Sequence, residues 1–174
     1  RVRSSAASDV YKRQGNDRIH PGNSGHFVMA WLFLKAQGLD TLPVADIAID
    51  ANRLHVERAG NCQITHLSAL PSGSEMGTAG RMGIRFEYLA HSLPFPVDTV
   101  PRLWGNPHRQ SEAIGVMPFY GAFNRELLRV NGLDAGDYQL SMDGQPIARY
   151  SAAELGEGIN LAKLTNTPEY EQSM

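Results

Sequence analysis

The chain has 174 residues, 42% of them hydrophobic and 20% charged, with a formal net charge of -2. That length suffices for one good core, and the composition is that of an ordinary globular protein, which selects no function. A near-neutral balance without a run of Lys or Arg gives no electrostatic footprint for a nucleic-acid partner, and none is expected.

The chain opens on a string with a specific explanation. Ser4 to Gln14 reads Ser-Ser-Ala-Ala-Ser-Asp-Val-Tyr-Lys-Arg-Gln, which resembles the conceptual translation of a sequencing-library adapter. Residues 1–14 are therefore expected to be a disordered, non-native segment, to be left out of fold reasoning. The alternative is a genuine polar N-terminal arm. On the first reading the natural sequence begins near Gly15, a signal peptide would lie in the missing part, and the compartment stays unassigned.

The next segment carries the chemistry. Asp17-Arg18-Ile19-His20-Pro21 places a carboxylate three residues before a histidine. In a serine hydrolase the imidazole takes the serine proton, while a carboxylate on its other nitrogen fixes the tautomer and stabilises the imidazolium. Asp17 is the candidate orienter and His20 the candidate base. Asp17, His20 and His26 together could also be read as metal ligands. The interval between the two histidines does not put both rings on one helix face as an i, i+4 pair would, so no metal and no cofactor is expected. His26 reads as a structural residue of the first helical turn.

Beyond Pro21 the residues Phe27, Val28, Met29, Trp31, Leu32, Phe33 and Leu34 surround nearly the whole helical wheel, with Gly38 placed as an αL cap. The apolar run is far shorter than the roughly 20 residues that span a bilayer, so no transmembrane segment is expected. Such a helix calls for burial on several sides, each large side chain being worth about 1.5 to 3 kcal/mol. Left uncovered, it is a route to self-association.

From Asp40 the pattern changes to short β-forming segments between Gly, Asn, Pro and Ser: Val44 to Asp50, Leu54 to Glu57, Cys62 to Leu67 and Met82 to Tyr88. Leu93-Pro94-Phe95-Pro96-Val97 is excluded as a central strand, because each proline lacks a ladder donor, and reads as an edge or crossover. Glu126 to Val130 and Tyr138 to Met142 are further strands, and Asp143-Gly144 is a hairpin turn into Ile147 to Tyr150. At least seven strands result. Ser151 to Glu154 carries the Ser-x-x-Glu capping pattern, with Gly156 and Gly158 to stop the turn. Thr167-Pro168 starts a last helix, Thr as N-cap and Pro at N1.

The Asp-x-x-His-Pro turn, followed by Gly25, His26, Met29 and Ala30, resembles the last conserved block of the SGNH/GDSL hydrolases, often written Gly-His-x-x-Met-Ala after the turn. The resemblance implies a fragment of a serine ester hydrolase, cleaving acyl or acetyl esters of small molecules or carbohydrates, with His20 and Asp17 catalytic. The family's Gly-Asp-Ser nucleophile turn and its oxyanion-hole glycine and asparagine have no counterpart here: Ser24 and Ser68 are not preceded by Gly-Asp, and no strand precedes Asp17. The chain alone is accordingly expected to be inactive. The implied fold is mostly β, a β-sandwich-like extension with one apolar helix remaining from an α/β SGNH hydrolase domain. Residues 15–39 would end that domain and residues 40–174 would form the accessory domain, itself truncated.

A reading from another class stays open: residues 40–174 as a non-catalytic, carbohydrate- or partner-binding β-sandwich. Trp104-Gly105-Asn106-Pro107-His108 with Phe119-Tyr120 would be its aromatic platform, or simply core and loop anchors. His55, His66, His91 and His108 are scattered and read as surface or strand histidines. Cys62 is the only cysteine, which excludes an intrachain disulfide; without a basic neighbour it reads as buried and inert.

Overall fold

A computed structural model describes residues 21–70, 83–101 and 108–174. The adapter-like string of residues 1–14, Asp17, His20 and the Trp104 to Pro107 part of the aromatic platform lie outside the described residues. The chain groups into two compact units: one joins the described residues through Thr41 with those of Pro96–Ala122, the other joins Leu42–Phe95 with Phe123–Met174.

The first unit is helical. Helix α1 (Asn23–Ala36) starts at an extended Gly22 and ends with Gln37 and then Gly38 at φ +73°, whose N–H bonds Lys35 O at 2.9 Å. Gly38 thus supplies the left-handed cap its position called for. Burial on several sides does not occur among the described residues. Only Ser24, Gly25 and Phe27 of α1 are buried, while Met29, Leu32 and Phe33 stand 57%, 53% and 66% exposed. The helix is apolar all round, and one side only is covered, by the 3-10 turn Gln110–Gly115 and by Phe119 of α2 (Phe119–Ala122). The turn and α2 have no strong periodic signal in the sequence.

The second unit holds all eight described strands: β1 (Ala45–Asp50), β2 (His55–Gly60), β3 (Cys62–Leu70), β4 (Gly83–Ala90), β5 (Glu126–Asn131), β6 (Asp137–Met142), β7 (Gln145–Ser151) and β8 (Ile159–Asn160). They form a four-stranded sheet of order β2-β1-β5-β8 and two hairpin sheets, β3-β4 and β6-β7. β1 and β5 pair in parallel, Ala45 opposite Glu126 through Asp50 opposite Asn131, and antiparallel strands flank them. The expected β-sandwich is therefore replaced by a mixed α/β arrangement with several small sheets. Strand periodicity does not reveal that two strands so distant in sequence are neighbours, because the long crossover leaves no local mark.

The centre of the sheet explains its own sequence. Ile47, Ala48 and Ile49 are all buried, as expected of a strand covered on both faces. Ile47, Ile49, Leu128 and Val130 join Cys62, Tyr138, Leu155 and Leu161 in one core. Of the two polar positions of β1, Asp46 pairs with Arg58 of β2 at 2.7 Å and Asp50 Oδ1 accepts from Arg53 N at 3.0 Å. The Asp143-Gly144 turn has φ of +50° and +78°, the two left-handed residues of a type I′ hairpin. Helix α3 (Ala152–Glu157) has the capping box in full: Ser151 Oγ accepts from Glu154 N at 3.2 Å, and Glu154 Oε2 accepts from Ser151 N at 2.7 Å. Helix α4 (Pro168–Ser173) starts at Thr167, whose Oγ1 accepts from Tyr170 N at 3.2 Å.

Two asparagines, Asn124 buried and Asn160 half-buried, set the entries to the strands. Phe95 lies between two prolines, so its N–H is the one donor in that stretch. It donates to Asn124 Oδ1 at 2.8 Å while Asn124 Nδ2 donates to Phe95 O at 3.0 Å, one side chain reproducing a strand pairing. Asn160 Nδ2 in turn donates to Asn124 O, and Asn160 Oδ1 accepts from Glu126 N, both at 3.0 Å.

Candidate functional site

Asp17 and His20, the residues singled out for chemistry, lie outside the described residues, which begin at Pro21. The turn they precede is described. Gly22 is extended, Gly25 is buried, and His26 donates its backbone N–H to Gly22 O at 2.9 Å with its side chain exposed. His26 is thus a first-turn residue of α1. Phe27 fixes the start of α1 by packing on Phe119, ring centroids 4.7 Å apart. Among the described residues no group of three or more His, Cys, Asp and Glu is arranged to hold a metal ion.

The second unit contains a groove of about 710 Å³. Its floor is apolar, from Ile47, Leu128 and Phe86, and its polar wall includes Tyr88, Tyr150 and Glu169. The size falls in the range of small-molecule sites, about 300 to 1,000 Å³, and so does the balance of apolar lining with a few polar groups.

Beside that groove lies Glu126, 1% exposed at the first position of β5. Its Oε1 accepts the Tyr88 hydroxyl at 2.9 Å. Burial raises the Glu126 pKa to about 7; the Tyr88 hydrogen bond works against that rise and the charge of Glu169 adds to it. The same burial and the facing carboxylate push the Tyr88 phenol far above its ordinary value, so it remains a donor. Sequence reasoning passed over this group. The signal was present in Glu126 itself, an acidic residue opening an otherwise apolar strand, but nothing local told which tyrosine would face it.

Two histidines carry carboxylate partners. His66 Nδ1 and Glu87 Oε2 are 2.8 Å apart on the β3-β4 hairpin, where the register shifts between Thr65 and Ser68 and His66 takes φ +53°. Both side chains are largely exposed, so the pair contributes little to stability. His108 Nδ1 and Glu112 Oε2 are also 2.8 Å apart, and the hydrogen bond from His108 holds the Glu112 carboxyl below its usual value. His55 and His91 are exposed. Cys62 is 6% exposed, and burial raises its thiol pKa, in keeping with an inert core residue.

No protein-family model matches the chain, and no curated protein matches it. The chain is similar to a solved structure of a gut microbial diltiazem-metabolizing enzyme, with 43% sequence identity and a TM-score of 0.81 over 92% of this chain. It spans about a third of that enzyme, 34% of its length.

Proposed function

We propose that this chain is part of a serine ester hydrolase of the SGNH/GDSL type, with Asp17 and His20 as its contribution to the catalytic centre. The observation that carries the reading is the 43% identity, over 92% of the chain, to a drug-metabolizing enzyme about three times as long. The Asp17-His20-Pro21 turn before α1 adds the chemistry, because a small-molecule ester needs a base held in one tautomer. In this reading residues 15–39 end the catalytic domain and the uncovered face of α1 packs against the rest of it. In the isolated chain that face is the route to self-association.

The serine belongs to the remainder of the protein. His20 takes its proton as the serine oxygen attacks the ester carbonyl, and the imidazolium then protonates the departing alcohol. Water deprotonated by His20 attacks the acyl-enzyme, the acyl–serine bond breaks, and the serine regains the proton. Asp17 stabilises the imidazolium in both halves. Similarity to an enzyme that metabolizes diltiazem favours a small-molecule ester over a polymer.

The groove of the second unit favours a second reading, a binding module for an apolar small molecule or a sugar ester. One comparison separates the two: ester hydrolysis by the 174-residue chain and by the longer protein containing it. The hydrolase reading requires turnover in the longer protein and none above background in the chain, since loss of the nucleophile in a comparable triad costs about 10⁶ in turnover. Ligand binding by both, with hydrolysis by neither, supports the module.

A further inference from the structure

Glu126 and Glu169 have the same anomaly. Each carries an oxygen, Oε2, that is buried and lacks a hydrogen-bond partner among the described residues. The other polar atoms of Glu126 are accounted for: Oε1 accepts from Tyr88 and the backbone N–H donates to Asn160. Two buried acceptors without a donor are costly, about 1 to 3 kcal/mol for each such group and more when charged. A proton on one of the two carboxyls supplies a donor and removes one of the two charges.

We propose that Glu126 and Glu169 form a one-proton clasp: with a proton on Glu126 Oε2 the pair keeps α4 at the wall of the groove, and with both carboxyls ionised their repulsion releases α4 and widens it. The geometry gives the pair that leverage. Glu169 lies in the first turn of α4, and it lines the groove together with Pro168 and Tyr88. Among the described residues, the groups that act electrostatically on Glu126 are Tyr88 on β4 and Glu169 on α4, while Cys62 on β3 feels Glu126 in turn. None of the three is a cation, so ionisation of Glu126 meets no compensating charge from β3, β4 or α4.

The working range follows from the environment. Burial places the ionisation of Glu126 near pH 7 in place of 4.5, so the clasp is closed in mild acid and strained in mild base. If release restores an ordinary carboxyl, the interval from 4.5 to about 7 corresponds to a change of up to about 300-fold in the docking equilibrium of α4. This proposal is independent of the hydrolase reading.

Hydrogen exchange tests it directly. The reporters are the amides of Tyr170 and Glu171, which donate to Thr167 Oγ1 and Thr167 O. After correction for intrinsic rates, their protection in the 174-residue chain is expected to fall about tenfold between pH 6 and pH 8, the most that this linkage allows over that interval. In Glu126→Gln the amide nitrogen supplies a permanent donor without charge, and the fall is expected to vanish. Glu169→Gln, at a less buried position of α4, is expected to do the same and serves if the first variant does not fold. Constant protection in the unmodified chain, or an equal fall in a folded glutamine variant, overturns the proposal.

Discussion

Within the second unit Asn124 holds Phe95 in place, and its replacement has a cost that can be worked from the geometry. The side chain is 1% exposed and makes two hydrogen bonds with Phe95, at 2.8 and 3.0 Å. Asn124→Ala removes both, each worth about 1 kcal/mol net, and leaves a buried polar group unsatisfied at about 1 to 3 kcal/mol. We expect a loss of about 3 kcal/mol, read from urea unfolding as a lower midpoint at unchanged slope. Asn124→Asp keeps the shape and the acceptor but loses the Nδ2 donor, setting a buried carboxylate against the Phe95 carbonyl. At neutral pH it is expected to cost at least as much as the alanine. Protonation restores an O–H donor. The folded-state pKa of the introduced carboxyl is therefore raised, and its destabilisation should shrink as the pH falls toward 5, while that of Asn124→Ala stays constant. An alanine variant losing less than about 1 kcal/mol, or an aspartate variant with no pH dependence relative to the unmodified chain, would refute the reasoning.

Three further outcomes follow from single residues. Glu126 has a raised folded-state pKa, so its contribution to stability is fully present below 4.5 and lost as the pH rises through about 7; Glu126→Gln should gain up to about 3 kcal/mol on the unmodified chain at pH 8, with little difference at pH 4.5, in paired urea titrations. The lowered carboxyls of Glu112 and Glu154 tilt stability the opposite way at lower pH, and they cancel in that comparison. Gly132 sits at φ +77°, and a Cβ there would meet Asn52 Nδ2 at 2.9 Å and the Asn52 backbone N at 3.1 Å, so Gly132→Ala should destabilise by more than about 1 kcal/mol in thermal or urea melts. The Cys62 thiol, buried and with a raised pKa, should react with a disulfide reagent only as fast as the second unit opens, so urea below the unfolding midpoint should accelerate labelling.

The sequence was most legible where structure is local. The hairpin at Asp143-Gly144, the Ser151 capping box, the Thr167-Pro168 helix start and the glycine after α1 each depend on chemistry within a few residues, and each takes the expected form. Seven strands lie within a few residues of their expected places; β8 is two residues long, too short for a pattern to form. The sheet arrangement was not legible, because the parallel pairing of β1 with β5 joins residues about 80 positions apart. The Tyr88, Glu126 and Glu169 cluster was hidden for the same reason: its members come from β4, β5 and α4, and only folding makes them neighbours. Asn124 was equally unreadable, since a loop asparagine and a buried one that completes a proline-flanked strand look alike in sequence.

The central claim is that His20, oriented by Asp17, is a hydrolytic base, and the most direct measurement is ester turnover by the longer protein with His20→Ala and Asp17→Asn made separately. The account predicts that each variant folds normally and loses turnover, by about 10⁴-fold for the orienting carboxylate and at least as much for the base. Turnover within a few-fold of the unmodified protein in either variant would contradict it and leave residues 17–20 as a turn before α1.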